Sequence, residues 1–228
     1  MIELDGITVA AGSYRLEGLS LRVPTGRYAV LMGRTGIGKT TILEAICGLR
    51  PVMAGRILIQ HVDVTDWDPA DRRTAYMPQD LALFPTFTVR EHLEFALRIR
   101  RRPQAEIKGR VEVLAGLLQL ESLLERSIHG LSGGEAQRTA LGRALAWQPA
   151  ALLLDEPLSA LDAATRSATL SLLKSINRST GVTVLHVTHS EEEAEALADV
   201  RLRLDMEQGR AVLNEAPPDK KDQPKILT

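Results

Sequence analysis

At 228 residues the chain is long enough to bury a core, as one large domain or as a domain with an inserted subdomain. Its 44% hydrophobic and 25% charged residues are ordinary for a soluble globular protein, and a formal net charge of −1 gives no global electrostatic argument for nucleic acid or anionic lipid. No stretch approaches a membrane span, and Met1-Ile2-Glu3-Leu4-Asp5 has neither the basic nor the apolar part of a secretion signal, so a cytosolic chain is expected.

Residues 2 to 23 alternate: Ile2, Leu4, Ile7 and Val9, then Leu16, Leu19, Leu21 and Val23, with Gly12-Ser13 and Pro24-Thr25-Gly26 as turns. A period of two predicts half-buried strands in an antiparallel sheet. Tyr14 at the first turn reads either as a strand-end aromatic packed on the core or as a flat ring for stacking on adenine.

The apolar run Ala29-Val30-Leu31-Met32 leads into Gly33, Arg34, Thr35, Gly36, Ile37, Gly38, Lys39, Thr40 and Thr41, and the run continues through Ile42-Leu43-Glu44-Ala45-Ile46-Cys47. Gly33, Gly38, Lys39 and Thr40 fit G-x-x-x-x-G-K-[ST] between a strand and a helix, which is the context that motif requires. Glycine lets the backbone turn tightly so that successive N–H groups point at phosphate oxygens, and the following helix adds the positive end of its dipole. Lys39 would reach the β- and γ-phosphates of a nucleotide, and Thr40 offers a hydroxyl to Mg²⁺. Cys47, the single cysteine, reads as a small buried hydrophobe.

Gly48 and Pro51 stop that helix. Residues 55 to 59 read as a strand, Asp68-Pro69-Ala70-Asp71-Arg72-Arg73 as a polar turn, and Ala75-Tyr76-Met77-Pro78 as a strand with Gln79 at its end. Gln79 is a hydrogen-bonding filler or a functional group on spacing alone. Between about 83 and 147 helical spacing replaces strand patterns, which predicts a helical insertion in an α/β domain. Thr88 with Glu91 has the form of a capping box, and Pro103 divides two helices. The arginines from Arg98 to Arg102 read as a solvated helix end, or as a contact for lipid headgroups or an acidic partner. Leu131-Ser132-Gly133-Gly134-Glu135-Ala136-Gln137-Arg138 holds another capping box at a glycine-rich helix start, either a second anion site or a tight turn between helices.

Residues 151 to 157 are an apolar run ending in Asp155 and Glu156, the pattern of a buried parallel strand whose acids lie where ligands bind in an open α/β sheet. There Asp155 would hold Mg²⁺ through water and Glu156 would orient or deprotonate an attacking water. Ser159-Ala160-Leu161-Asp162 precedes an amphipathic helix. Val182 to Val187 form another buried strand, and His189 just beyond it falls on the same sheet edge, which makes a γ-phosphate contact plausible. Ser190 and Glu193 read as a cap for the next helix. Leu202, Leu204 and Met206 are expected to pair across Gln208-Gly209 with Ala211 to Leu213 as a hairpin, followed from Asn214 by a weakly ordered tail.

Taken together, GRTGIGKTT, YMPQD, LSGGEAQR, ALLLDEP, SALD and VTHS resemble, in order, the Walker A, Q-loop, signature, Walker B, D-loop and switch motifs of ABC transporter ATPase subunits. LSGGEAQR is close to diagnostic of that family. The resemblance implies an α/β P-loop NTPase (RecA-like) core with an antiparallel β subdomain and an inserted α-helical subdomain. It places one ABC ATPase domain over 1–213, with 1–82 and 148–213 as nucleotide-binding core, 83–147 as helical subdomain, and 214–228 as tail. It implies ATP and Mg²⁺ as cofactors, the stretch from Gly33 to Thr41 as the phosphate cradle, Thr41 near the α-phosphate, and Tyr14 stacked on adenine. Gln79 is assigned to Mg²⁺ and the attacking water, Glu156 to the general base and His189 to the γ-phosphate. Two cassettes would pair head to tail, as a homodimer or with a paralogue, so that Ser132, Gly133 and Gly134 reach the partner's ATP and Asp162 serves cross-dimer communication.

Within the family, the segment Gln79 to Phe87 with Thr88-Val89-Arg90-Glu91 looks like importer cassettes of the molybdate, tungstate, sulfate, polyamine, iron and thiamine type. The implied partners are transmembrane permease subunits, whose cytoplasmic helix enters a groove beside the Q-loop, and indirectly a substrate-binding protein. The implied location is peripheral, on the cytoplasmic face of the inner membrane. Ile37 departs from the usual small residue of Walker A, and His61 stands where glycine is common. Many relatives carry a C-terminal regulatory domain, whereas this sequence stops at Thr228, so trans-inhibition through such a domain is not expected. An exporter or lipid-extracting cassette would share every catalytic residue. A soluble ABC protein acting on DNA or ribosomes is disfavoured by the near-neutral charge and the lack of a coiled-coil insertion, and no nucleic-acid partner is expected.

Overall fold

The computed structural model describes residues 1–12, 14–207 and 210–215. Strands β1 (Ile2–Ala11) and β2 (Tyr14–Val23) pair antiparallel, as their alternation predicts. Next come β3 (Tyr28–Gly33), α1 (Lys39–Cys47), β4 (Ala54–Ile59) and β5 (Val62–Asp63). One sheet runs β2-β1-β4-β5. The turn joining β4 to β5 holds Gln60 and His61 at φ 50° and 67°, the left-handed pair that a two-residue hairpin requires, which explains why glycine is the easier residue at position 61.

Strand β6 (Thr74–Met77) precedes the helical stretch of α2 (Val89–Ile99), α3 (Gln104–Leu118) and α4 (Gly133–Leu145). The capping boxes expected at Thr88 and Ser132 both form: each hydroxyl accepts from the N3 amide while Glu91 or Glu135 reaches back. The chain then follows β7 (Ala151–Asp155), α5 (Ala163–Thr180), β8 (Thr183–Thr188), α6 (Glu191–Leu197), β9 (Val200–Glu207) and β10 (Arg210–Glu215). The second sheet is ordered β10-β9-β3-β8-β7-β6. Its strands are parallel except β10, which returns antiparallel to β9.

Alternate residues of the parallel strands serve two cores. Val30, Leu152, Leu154 and Val184 face the helices, while Leu31, Leu153, Leu185 and Val187 face α1 and the antiparallel sheet. With both faces covered, these strands read as unbroken apolar runs, and the burial follows.

One expectation needs correction. The tail was to begin at Asn214, yet Asn214 and Glu215 continue β10 opposite Arg203 and Leu202, because the β9 edge offers unpaired backbone groups. The hairpin turn at Gln208-Gly209 and the remaining tail lie outside the described residues. The polar turn expected at 68 to 73 forms, with Arg72 buried within it. Its guanidinium donates to the carbonyls of Ala45 (2.8 Å), Ile46 (3.2 Å), Thr65 (2.6 Å) and Trp67 (2.9 Å). It thereby satisfies the carbonyl end of α1, where a cation also complements the helix dipole. Gly48 makes room for it, since a Cβ there would lie 2.6 Å from Nε of Arg72. Arg72→Met is expected to lower the unfolding free energy by about 3 kcal/mol in urea titration, because it strands buried carbonyls; an unchanged midpoint would contradict this role.

Candidate nucleotide site

Parallel register brings four strand ends to one edge. Met32 lies opposite Thr188, Asp155 opposite Val187, and Met77 opposite Leu154. The residues that follow, from Gly33, Gln79, Glu156 and His189, therefore start from a common line at the C-terminal edge of the sheet, where open α/β sheets bind ligands.

The loop from Gly33 to Lys39 is held close to its surroundings. A Cβ on Gly33 would lie 2.7 Å from the Leu204 carbonyl oxygen, and one on Gly38, at φ 104°, would lie 2.8 Å from Leu16. Only glycine fits at either place. Ile37 turns inward and joins the core beside Leu31 and Leu204, so this departure from Walker A fills apolar space beneath the loop. Gly38 is the N-cap of α1 and offers no side chain, which leaves the first amides of the helix for an anion. Lys39 is buried, with its ammonium donating to the carbonyls of Gly33 (2.9 Å) and Arg34 (3.1 Å). Burial lowers its pKa, opposed by the charges of Glu156 and Asp155.

Asp155 is buried, and desolvation raises its pKa against hydrogen bonds from Thr40 and Tyr76. The Tyr76 hydroxyl donates to Oδ2 at 3.1 Å. Burial first, and Asp155 second, push the Tyr76 phenol above its ordinary pKa, so it stays a proton donor. The Thr40 hydroxyl and the Asp155 carboxylate, joined by their hydrogen bond, are hard oxygen donors of the kind that suits Mg²⁺, an ion that takes few protein ligands and leaves the rest to phosphate and water. Among the described residues no group of three or more His, Cys, Asp or Glu could hold a metal ion.

Glu156 has φ 44°, a left-handed conformation rare for a side chain with a Cβ and carrying a strain of about 1–2 kcal/mol. Its amide donates to the Val187 carbonyl (2.9 Å) and its own carbonyl accepts from the Ser159 amide and hydroxyl, bonds that hold the conformation. His189 Nδ1 lies 3.4 Å from Oε2 of Glu156. Together with Ser159, Arg166 and Ser190 they line a cavity of about 260 Å³. Only half of the cap expected at Ser190 forms. Its hydroxyl accepts from the Glu193 amide at 3.3 Å, while the Glu193 carboxylate turns into the core, 3.2 Å from His186, whose other ring nitrogen is 2.9 Å from the Tyr28 hydroxyl.

Tyr14 donates to the Gly36 carbonyl at 2.8 Å and, with Arg34, Thr35, Gly36, Ile37 and Met206, borders a cavity of about 290 Å³ beside the loop. Gln79 is exposed in the turn after β6, and Thr40 is exposed in the first turn of α1. Ser132 and Gly133 are exposed at the start of α4 and line neither cavity. Gly134 is buried, and a Cβ there would lie 2.7 Å from Thr165 Cγ2, so glycine lets α4 approach α5. Asp162 caps α5, accepting from the amides of Ala164 and Thr165 and from the Thr165 hydroxyl at 2.6 Å; these bonds, the Thr165 hydroxyl foremost, lower its pKa. Tyr76 and Met206 escaped the sequence reading because both are ordinary strand residues until the sheet is assembled. Cys47 is buried with its thiol pushed up to about 11, chiefly by desolvation, which matches the inert reading.

A phosphate loop beside a strand ending in two acids defines a P-loop nucleotide-binding protein. The chain matches the family described as "ABC transporter" over residues 16–159 and belongs to that family. It is 41% identical over 199 residues to the molybdate/tungstate import ATP-binding protein WtpC of Thermococcus kodakarensis, covering 87% of this chain and 60% of the relative. It is 42% identical over 189 residues to the sn-glycerol-3-phosphate import ATP-binding protein UgpC of Paracoccus denitrificans, covering 83% and 54%. The chain thus spans somewhat over half the length of these curated relatives. A solved dimeric structure of the ATP-binding cassette MJ0796, in a post-hydrolysis state bound to ADP and Pi, superposes with a TM-score of 0.79 at 28% identity, covering 94% of this chain and 98% of that one.

A carboxyl whose folded-state pKa is raised weakens the fold as pH climbs from its ordinary value of 3.8 through the raised value, and the penalty persists above it. Asp155→Asn is therefore expected to melt above the parent protein at pH 7, with the difference shrinking toward pH 4; an equal or lower melting temperature at pH 7 would contradict the burial account.

Proposed function

We propose that this chain is the ATP-binding and ATP-hydrolysing motor subunit of an ABC importer, with ATP sandwiched between two cassettes. Residues 1–82 and 148–213 form its nucleotide-binding part and 83–147 its helical part. The observation that carries this reading is the convergence of Lys39, Thr40, Asp155, Glu156 and His189 on one sheet edge, with the signature residues exposed elsewhere at the start of α4. A composite site accounts for an exposed Ser132 and Gly133 that line no cavity at the P-loop of their own chain. Its partner is a second copy or a paralogue.

The loop amides and Lys39 bind the β- and γ-phosphates, Thr41 lies near the α-phosphate, and Tyr14 releases Gly36 to stack on adenine. Thr40, Asp155 and Gln79 would hold Mg²⁺, which neutralises charge on the phosphates. Glu156 orients the attacking water and takes its proton as oxygen bonds to the γ-phosphorus and ADP leaves. His189 and the partner's signature donate to the γ-phosphate oxygens as charge builds there. Asp162 links the two sites across the dimer.

Import is favoured by the names of the relatives, both import ATP-binding proteins. The motor would act on a separate permease that supplies the path; among the described residues no helix is long and apolar enough to cross a membrane. Phe84, Phe87 and Phe95, half-buried, cluster with ring centroids 4.7 to 5.9 Å apart beside the Q-loop, and support docking of an apolar permease helix there. The motor would lie on the cytoplasmic membrane face and serve a small oxyanion or similar solute delivered by a binding protein.

Glu156→Gln is expected to bind MgATP normally and to release phosphate at least about a hundredfold more slowly; normal turnover would remove Glu156 as the base. Lys39→Ala is expected to lose nucleotide affinity in a fluorescence titration, and unchanged affinity would sink the phosphate-loop assignment.

A further inference from the structure

Beyond Gln79, the Q-loop contains an unusual piece of backbone. Leu81 and Ala82 are consecutive residues at φ 62° and 43°, left-handed although neither is glycine. Their carbonyls both accept from a single guanidinium, that of Arg143: Nη2 donates to Leu81 at 2.7 Å and Nη1 to Ala82. The same guanidinium lies over the Phe84 ring, 5.3 Å from its centroid. Phe84 in turn is tied to α2, since its amide donates to Nε2 of His92 at 2.9 Å.

Arg143 stands in α4, the helix that Ser132 caps and that Gly133 begins. An α-helix rises 1.5 Å per residue, so the guanidinium and the signature occupy two ends of one rod about 16 Å long. Local turn bonds, Leu81 to Pro78 (3.0 Å) and Ala82 to Asp80 Oδ1 (3.2 Å), tie each residue only to its near neighbours. The fork of Arg143 is the bond from these two carbonyls to another element, and a planar guanidinium can serve two adjacent acceptors where an ammonium is a point charge.

We propose that Arg143 is a positioning residue that locks the Q-loop backbone to the signature helix, so that Gln79 and Ser132 shift as one body when nucleotide binds. This rests on the reading above, in which both residues engage nucleotide. A displacement of Gln79 at one site is then carried along α4 to the signature that serves the partner's site. Arg143 acts through these elements and touches no reacting atom.

The test uses the full chain with Arg143→Met, Arg143→Lys, Gln79→Ala and the Gln79→Ala/Arg143→Met double variant, each checked for folding by circular dichroism. Arg143→Met is expected to lower kcat about ten- to a hundredfold while single-chain ATP affinity is unchanged, with Arg143→Lys intermediate. Amide exchange should quicken over residues 80–84 and stay unchanged over 136–142. In the double variant kcat should match Gln79→Ala alone. Losses that multiply, or exchange that quickens along α4 as much as in the Q-loop, would overturn the coupling while leaving Gln79 in place. A Gln79→Ala variant with full activity would instead remove the role of Gln79, and this proposal with it. Should Arg143→Met not fold, the same comparisons with Arg143→Lys decide the question.

Discussion

Parallel pairing of β3, β8 and β7 is the constraint on which the site depends. Because Met32 is level with Thr188 and Asp155 with Val187, a phosphate loop, an acidic pair and a histidine leave the sheet at the same height. None of these groups is near the others in the chain. Shifting β7 by one residue would reverse which of its side chains face each core and carry Asp155 away from Thr40 and Tyr76. The apolar layers on both faces, with Leu152 and Leu154 on one side and Leu153 on the other, resist that slip. Packing thus sets the register, and register sets the chemistry.

Some of the left-handed backbone lies where the proposed chemistry is. Glu156, Leu81 and Ala82 hold left-handed backbone without glycine, each kept there by hydrogen bonds from another part of the fold. Asp155 is a carboxylate kept in a place that favours its neutral form. Such arrangements weaken a fold, and they persist because the two cores around them are well packed. The same logic applies at Arg72, where a buried cation is tolerated because each of its three guanidinium nitrogens donates to a carbonyl.

What could be read from the sequence was local or periodic. The alternation of β1 and β2, the strand, loop and helix around Lys39, and the capping boxes at Thr88 and Ser132 depend on residues within a few positions of one another, and the structure has them. Tertiary partners were not legible. Arg72 looked like part of a polar turn because nothing nearby announces the end of α1 as its partner. Glu193 fitted a capping box by spacing, yet a buried histidine on β8 drew its carboxylate away. Tyr76 read as a strand residue until β6 paired with β7 and set its hydroxyl against Asp155. Ile37 and His61 stood out only as departures; the core beneath the loop and the left-handed turn supply their reasons.

The central claim is that the P-loop of one chain is completed by the signature of another. Sedimentation velocity of Glu156→Gln and of Glu156→Gln/Ser132→Arg, each with and without MgATP, addresses it most directly. The account predicts that MgATP converts the first into dimers, while the second stays monomeric and retains the same single-chain ATP affinity. A double variant that still dimerises, or one that loses ATP affinity as a monomer, would contradict a site shared between two chains.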